Sequence, residues 1–493
     1  MTFTQVHPGS VELDDRLIDL LVEEHVRHNL LRLQRLWDYY RNPMVRRRET
    51  NTGDRPYHLA QEQGLPRRLT NPVTPEGLPN TPTHGGREIV IENDIAWRLH
   101  ALADFMFGKP VALQSLAPDP SRARLIESLL RRVFDLNGGM GFFQDLALLG
   151  SVYGFVDVLL RVNDGAATPD PLGQADRFVL ETIEAPRAIP VLNPRDFRKL
   201  DGYVLHYRQV LNETTSDGMF TRLRSRVLGN GHQPTRRTTV MCTEVWTDQR
   251  VTAFQDVGNG RVPVEQSLNR LGRIPVVHIQ NLAQPFFYEG LSEVEPLIPL
   301  QDELNTRLSD RANRVTFQSF KMYLGKGIEH FTDRPIGPGQ MWATDNPDAE
   351  IQAFGGDAAN PSEESHIIEI REAMDKTSSV TPIAAGLLRA KVGNLSSENA
   401  LRIVMMGLLA KTEKKRVTYG VGIERICELI LHAADVFGVL PNTPDERRTR
   451  LDWPSPLPAS ESEQLRDARI KLEIGVPQKQ VLTELGYANC ADK

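Results

Sequence analysis

The sequence has few cysteines, and their spacing argues against both disulfide bonds and a cysteine-based zinc site. Cys242, Cys427 and Cys490 are the three cysteines among 493 residues, and no two of them form a CxxC pair. This spacing suits neither a zinc site nor a disulfide framework. We therefore predict no metal and no other cofactor, and we expect the compartment of synthesis to be reducing.

Long hydrophobic runs are also missing. No uninterrupted apolar stretch approaches the roughly 18 residues that a membrane span needs. The N-terminal residues MTFTQVHPGS lack a basic region followed by an apolar one, which a secretion signal would have. We therefore expect no membrane partner and synthesis in the cytoplasm.

The motifs of common enzyme classes do not occur. There is no GxxxxGK[ST] phosphate loop, no GxGxxG, no HExxH and no GxSxG, and the 12 histidines are dispersed. An ATP-driven motor is disfavoured, and we predict that the chain is not an enzyme. A motif search does not find an unfamiliar active site, so a DNA-processing enzyme with an unrecognised site is the alternative.

The chain has no surplus of basic residues. It carries 58 Lys and Arg against 64 Asp and Glu, a formal net charge of −6. Tight binding of DNA through its phosphates favours a basic surface, so this balance suits a surface past which DNA slides. The 40% hydrophobic and 25% charged residues are typical of a globular protein with room for two or three domains.

The first half has patterns of both helices and strands. Helical spacing of apolar residues predicts helices over residues 14–40, 88–107, 121–136 and 141–151. Alternating apolar residues predict strands over residues 155–162, 202–210, 239–246 and 251–254. The segment 46–86, rich in Pro, Gly, Asn and Arg, is either an extended arm or a solvated surface loop. We predict an α+β fold.

The second half is mainly helical. A long helix over residues 292–320 contains the i,i+4 pairs Glu303/Arg307 and Asp310/Arg314. A small β module follows, with short strands at 322–324, 341–343 and 350–354. Further predicted segments are a helix at 361–378, a loop at 380–394, a long helix at 396–437, a strand at 450–453, and short helices at 461–474 and 478–485.

This order of elements, together with local sequences, resembles one family, the portal proteins of tailed bacteriophages, in particular those of phages infecting Gram-positive bacteria. The matching segments are LWDYY at 36–40, ADFMFGKP at 103–110, GSVYG at 150–154, EVWT at 244–247, GRIPVV at 272–277, NLSSENAL at 394–401 and GVPQK at 475–479. Their order and spacing carry the resemblance, since each of them alone is a common sequence.

The resemblance implies an α+β portal fold with a mixed wing domain, a two-helix stem, a small α/β clip, a long wing helix and a short helical crown. The implied segments are wing 1–272, stem helix 1 at 273–320, clip 321–360, stem helix 2 at 361–378, tunnel loop 379–395, long wing helix and return strand 396–456, and crown 457–493.

The resemblance also implies a function. Such a chain forms a dodecameric ring at one capsid vertex, the channel for packaging double-stranded DNA into the procapsid and for ejecting it. Implied partners are other copies of the chain, terminase, the head-to-tail adaptor, the major capsid protein and the scaffolding protein. The implied location is the virion, and the host cytoplasm during assembly.

Three residues of the tunnel loop, Arg389, Lys391 and Asn394, are candidates for contact with DNA, or are ordinary solvated loop residues. In the clip, Trp342 and Phe354 are candidate anchors for partner proteins, or part of the clip core.

Basic residues on the helices also have two interpretations. Arg307, Arg311 and Arg314 of stem helix 1 line the channel, or pair with Glu303, Asp310 or a neighbouring subunit. The basic cluster at 411–416 is interpreted as the solvated face of a helix.

Overall fold

The structure is a computed structural model of the chain. It describes residues 13–46, 56–70, 88–163, 165, 170–214, 235–256, 258, 260–319, 322–326, 347–348, 350–354, 361–385, 402–457, 461–478 and 481–482.

Long helices and antiparallel sheets are both present, which confirms the α+β class. The helices are α1 (Asp15–Glu24), α2 (Leu30–Arg41), α3 (Leu59–Gln63), α4 (Arg67–Thr70), α5 (Asp94–Phe107), α6 (Pro120–Leu136), α7 (Met140–Tyr153), α8 (Ile298–Ser319), α9 (Pro361–Ser378), α10 (Met406–Val436) and α11 (Glu461–Glu473).

All strand pairs are antiparallel. The strands are β1 (Met44–Arg46), β2 (Pro56–His58), β3 (Ala112–Ser115), β4 (Phe155–Val162), β5 (Phe178–Ile183), β6 (Ala188–Asn193), β7 (Asp196–Thr214), β8 (Thr235–Trp246), β9 (Arg250–Asp256), β10 (Arg261–Leu268), β11 (Val276–Gln280), β12 (Met322–Lys326), β13 (Glu350–Phe354) and β14 (Thr449–Asp452).

The chain divides into two compact units. The first comprises Met1–Trp37, Arg98–Glu293 and Ser379–Lys493, and the second comprises Asp38–Trp97 and Val294–Ser378. The sequence predicted that residues 38–97 group with the rest of the N-terminal wing. They instead form one unit with the segment predicted as stem and clip.

The main core of the first unit lies between helices α6, α7 and α10 and the three-stranded sheet β11-β4-β5. The central strand β4, with sequence FVDVLLRV, is buried over its first six residues. Such a nearly continuous apolar run is what a strand covered on both faces requires. The fully buried core side chains include Leu129, Leu130, Leu146, Val156, Ile423 and Ile430.

The predicted turn at GSVYG joins α7 to β4. Gly154 has φ +91, a left-handed conformation that favours glycine. A Cβ at this position would lie 2.4 Å from the carbonyl oxygen of Gly290, so the two backbones approach too closely for any side chain. Glycine is therefore required here for both conformation and space.

A second sheet in the first unit is a five-stranded meander in the order β10-β9-β8-β7-β6. Helix α1 covers part of it, because Ile18 packs with Ile189, Val204 and Phe254. Asp14 is the N-cap of α1, and its Oδ1 accepts a hydrogen bond from Leu17 N at 2.7 Å. The predicted return strand forms as β14, which pairs with β3.

In the second unit, polar side chains of α8 bind the backbone of the extended segment 88–94. Four residues spaced four apart on the helix accept hydrogen bonds from alternate backbone N–H groups of the segment. The pairs are Asn313 with Glu88 (2.9 Å), Ser309 with Val90 (3.0 Å), Asn305 with Glu92 (3.0 Å) and Gln301 with Asp94 (3.0 Å).

The same side chains also donate to carbonyl oxygens of the segment. Asn313 Nδ2 donates to Glu88 O at 2.9 Å, and Gln301 Nε2 donates to Glu92 O at 2.5 Å. Four helical residues advance about 6.0 Å and two extended residues about 6.6 Å, so the two repeats stay in step. We call this arrangement the amide ladder.

The amide ladder explains why one sequence prediction was wrong. The apolar spacing from residue 88 predicted a helix there, but α5 begins only at Asp94. The backbone N–H groups of Glu88, Val90 and Glu92 are bonded to α8, and the segment stays extended. Sequence spacing within the segment contains no information about this distant helix.

Other boundaries also differ from the predictions. The start of the segment predicted as stem helix 1 at 273 contains strand β11, and α8 begins at Ile298 after a short 3-10 turn at Glu295–Leu297. Residues 402–404 are helical, as predicted, but a turn at Met405 interrupts the predicted long helix before α10 begins at Met406. Within the arm predicted at 46–86, the described residues form β2, α3 and α4 rather than an extended chain.

We predict that Asn305→Ala lowers the free energy of unfolding by about 1–3 kcal/mol, because it leaves buried polar groups without partners. Asn305 is fully buried and bonds both Glu92 N and Gln61 Oε1. Chemical denaturation of the purified chain measures the change.

Asn313→Ala is the matched control, since Asn313 makes its ladder hydrogen bonds at the exposed end, where water replaces them. Equal losses in the two variants would contradict the argument from burial.

Candidate functional site

Helices α8 and α9 with strands β12 and β13 form an antiparallel arrangement that we call the hairpin. Their 22 and 18 residues correspond to lengths of about 33 and 27 Å. Strands β12 and β13 pair in register from Met322↔Phe354 to Lys326↔Glu350. The hairpin therefore presents a small β element at the far end of two helices.

Helices α8 and α9 pack through apolar side chains, and an ion pair between Arg314 and Glu363 joins them. Leu304, Leu308, Ile367, Ile370 and Met374 are buried. They recur at three- and four-residue spacing, as the sequence pattern predicted. This apolar contact makes the two helices one element.

Two of the three predicted stem arginines are engaged within the chain. Arg307 Nε lies 2.7 Å from Glu303 Oε1, and its Nη1 lies 3.3 Å from Asp310 Oδ2. The hydrogen bond from Arg307 is the main cause that lowers the pKa of Glu303. Arg314 pairs with Glu363 of α9, a partner that the i,i+4 spacing did not predict.

Arg311 differs from its two neighbours. It is half-buried on α8, and it forms no ion pair with any residue in the described part of the chain. Among the three stem arginines it is the one whose charge has no intramolecular partner there.

The charge of the hairpin is acidic on α9 and balanced on α8. Helix α9 carries five carboxylates and two basic side chains, whereas α8 carries three of each. Glu364, Glu369 and Glu372 are exposed on α9. This helix therefore presents a mainly negative surface.

Several predicted site residues lie outside the described residues. These are Arg389, Lys391 and Asn394 of the predicted tunnel loop and Trp342 of the predicted clip. Phe354 is the last residue of β13, and its backbone pairs with Met322.

A buried ion cluster surrounds Glu293 in the first unit. Lys411 Nζ lies 2.5 Å from Glu293 Oε2, and Lys415 Nζ lies 3.3 Å from Glu293 Oε1 and donates to Ser151 Oγ at 2.9 Å. The side chains of Glu293 and Lys415 are 4% and 1% exposed. The cluster ties the C-terminal part of α7 to α10.

Electrostatics in this cluster favour the ionised carboxylate. Burial raises the pKa of Glu293, but the ammonium groups of Lys415 and Lys411 more than offset it, so this pKa lies below its ordinary value of 4.5. The ion cluster therefore stabilises the folded state fully at pH values above the ordinary pKa of a glutamate. This stabilisation is lost as the pH falls through the lowered pKa of Glu293.

The interpretation of residues 411–416 as a solvated basic face was wrong. Lys414 is exposed, but Lys411 and Lys415 pair with Glu293, and Arg416 is 9% exposed. Arg416 pairs with Glu413 and stacks over Trp453 at 5.2 Å from the ring centre. The i,i+4 spacing of Lys411 and Lys415 indicates that both lie on one face of the helix. Their common partner, however, is more than a hundred residues away in sequence.

A second buried polar cluster surrounds Asp157 of β4, which is fully buried. Tyr203 Oη donates to Asp157 Oδ2 at 2.7 Å, and Tyr288 Oη lies 3.0 Å from both carboxylate oxygens. Burial, then the charge of Asp157, raises the pKa of both phenols, so they remain donors.

His278 completes this cluster and has no free lone pair for catalysis. Its Nδ1 lies 2.7 Å from Asp157 Oδ1, and its Nε2 lies 2.7 Å from the carbonyl oxygen of Tyr288. A carbonyl only accepts, so Nε2 donates to it, and Nδ1 faces the Asp157 carboxylate. Both ring nitrogens are therefore engaged, and the cluster stabilises the junction of β4, β7 and β11.

The described residues form neither a metal centre nor a membrane-spanning helix. No group of three or more His, Cys, Asp or Glu side chains within the described ranges is arranged to hold a metal ion. No helix among the residues whose structure is described is long and apolar enough to cross a membrane.

Comparison with known proteins gives one family. Residues 98–486 match the model of the phage portal protein family, SPP1 Gp6-like. This match spans most of the chain, so the chain belongs to the phage portal protein family, which is a family of structural proteins. No curated protein is similar enough in sequence to match.

Solved structures similar to the chain come from gene transfer agent particles. A chain from the virion of a native gene transfer agent particle is 11% identical, with 80% of this chain and 89% of that chain covered and a TM-score of 0.41. A chain from the neck of an empty particle of that kind, computed with C6 symmetry, is 12% identical, with 80% and 90% covered and a TM-score of 0.41.

We predict that Lys415→Met lowers the free energy of unfolding by at least about 2 kcal/mol, because it removes one partner of a buried ion pair and leaves Ser151 without its donor. Chemical denaturation measures the change.

Lys414→Met is the control on the neighbouring exposed position, for which we expect a change within about 0.5 kcal/mol. If both variants stayed within that range, the buried cluster would not contribute to the stability of the fold.

Proposed function

We propose that the chain is the subunit of a dodecameric ring at one capsid vertex, through which double-stranded DNA enters the procapsid and later leaves the virion. The observation that supports this most is the hairpin, two long antiparallel helices with a small strand pair at their end, within a chain of the portal family. Such an element is well shaped to line a channel and to present a docking tip.

The dimensions of helices are compatible with a channel for DNA. About twelve helices at a spacing of about 10 Å give a circumference of about 120 Å, which leaves a bore of about 28 Å. A hydrated duplex fits this bore. A head-to-tail interface that closes on itself allows one kind of chain to build such a ring.

The charge of the hairpin supports a channel through which DNA slides. The exposed carboxylates of α9 repel phosphates, and the chain as a whole carries a net charge of −6. DNA would contact a few basic residues at most, so the polymer would not be held by many phosphate contacts. Arg389, Lys391 and Asn394 are the proposed contacts in the tunnel loop.

Arg311 is the stem arginine proposed to act between subunits or toward the channel. Arg307 and Arg314 have acidic partners within their own chain, so their charges are already compensated. The charge of Arg311 has no such partner in the described residues. A carboxylate from the neighbouring subunit would compensate it.

The strand pair at the tip of the hairpin is the proposed docking element. During packaging it would bind terminase, and afterwards the head-to-tail adaptor, with Trp342 and Phe354 as proposed anchors. The first unit would contact the major capsid protein, and the scaffolding protein during assembly in the host cytoplasm. The mature protein would then reside at the portal vertex of the virion.

We predict that the purified chain forms closed rings, with the dodecamer as the main species by native mass spectrometry and negative-stain microscopy. Arg311→Ala should weaken the ring if Arg311 pairs between subunits, whereas Lys414→Ala, which removes an exposed charge elsewhere, should not.

A chain that stays monomeric at high concentration would count against the ring. Nuclease and ATPase assays on the same samples test the alternative class. Turnover that one point substitution abolishes would establish a DNA-processing enzyme instead.

We predict that replacing both Arg389 and Lys391 with Ala leaves ring assembly intact and reduces DNA packaging or retention, because the loop loses its positive charges. An in vitro packaging assay that scores nuclease-protected DNA measures the effect.

Arg466→Ala with Arg469→Ala is the matched control, since it removes two exposed positive charges from α11. Unchanged packaging in the loop variant, or an equal loss in the control, would reject the assignment of the loop.

A further inference from the structure

The first unit contains a cavity of about 440 Å³ whose lining is rich in basic side chains. Four parts of the chain form it: the start of β7, the segment from residue 273 through β11, Tyr288, and one turn of α10. Four of the lining residues are basic, namely Arg198, Lys199, Arg273 and Arg425, and one is acidic, Glu428.

The single carboxylate in this lining is already paired. Arg273 Nη1 lies 3.1 Å from Glu428 Oε1. Arg198, Lys199 and Arg425 form no ion pair with any residue that the structure describes. Three positive charges thus surround one cavity without compensation, in a chain whose net charge is −6.

Arg273 also has an unused donor. Its Nε lies out of contact with solvent and has no hydrogen-bond partner among the described residues. A buried N–H without an acceptor costs about 1–3 kcal/mol, so a ligand or a water molecule that accepts from this donor would stabilise the side chain. This donor belongs to the same side chain that binds Glu428.

The other polar groups in the lining do not compensate these charges. His278 faces the cavity, but its two nitrogens are bonded to Asp157 and to the carbonyl of Tyr288. Apolar side chains such as Ile274, Val277 and Leu429 line the remainder and lower the local dielectric, which strengthens attraction to an anion.

We propose that this cavity binds a phosphate group. Arginine side chains offer paired N–H donors that match phosphate oxygens, and a phosphate carries enough charge to compensate several cations at once. The cavity volume lies within the range of small-molecule sites. The phosphate comes either from a free nucleotide or inorganic phosphate, or from the backbone of DNA, and the second source alone rests on the proposed function.

The test is isothermal titration calorimetry on the full chain with three probes: inorganic phosphate, pyrophosphate and a short DNA duplex. We expect binding of at least one probe, weakened by added salt, and an affinity about tenfold lower in the Arg198→Gln, Arg425→Gln double variant. Two single variants, R425Q and K414Q, form a matched pair, since both remove one exposed positive charge from α10. K414Q should bind like the unmodified chain.

Binding of phosphate or pyrophosphate, but not of the duplex, supports a site whose ligand is a free phosphate compound. Binding of the duplex that the double substitution weakens supports DNA as the source of the phosphate. No binding of any probe, or equal binding by the double variant and K414Q, overturns the proposal. Poly-glutamate that binds as tightly as pyrophosphate, and whose binding the double substitution weakens equally, also overturns the proposal, because the site would then recognise acidic protein.

Native mass spectrometry of the same samples separates this inference from the proposed function. Rings that bind no probe overturn the phosphate site and leave the ring standing. Monomers that bind pyrophosphate support the site and count against the ring. Thermal melts check that the variants, whose substituted side chains are exposed, remain folded.

Discussion

The amide ladder between α8 and the segment 88–94 is the contact on which the second unit depends. An extended segment against a helix has no sheet partner, so its backbone N–H and carbonyl groups need other partners when they are buried. Gln301, Asn305, Ser309 and Asn313 supply them, because every fourth residue of a helix meets every second residue of an extended chain. The first member of the hairpin is thereby held along most of its length.

The first unit uses the same strategy with charges instead of amides. Glu293 holds two lysines of α10 by ion pairs, and Asp157 holds two tyrosines and a histidine by hydrogen bonds. Breaking one partner of such a cluster leaves a buried group without compensation, which is more costly than losing a surface ion pair. Both clusters lie where segments distant in sequence meet, so they fix the relative positions of these segments within the unit.

Basic side chains in this protein fall into two groups with different consequences. Lys411, Lys415 and Arg314 have carboxylate partners in their own chain, and their charge is not available to a ligand. Arg311 has no such partner among the described residues, and neither have Arg198, Lys199 and Arg425 in the lining of the cavity. A basic residue in the sequence does not reveal to which group it belongs, since the distinction depends on whether a carboxylate from elsewhere lies within about 4 Å.

The sequence by itself determined the elements whose signal is local. The periodicity of apolar residues located α6, α7 and α9 and strand β4, and proline and glycine marked several of their ends, as Gly154 does. The tertiary structure alone decided that residues 88–93 stay extended before α5, how residues 38–97 group, and which lysines are buried. The physical reason is that these features depend on partners more than a hundred residues away, such as Asn305 for Glu92 and Glu293 for Lys415.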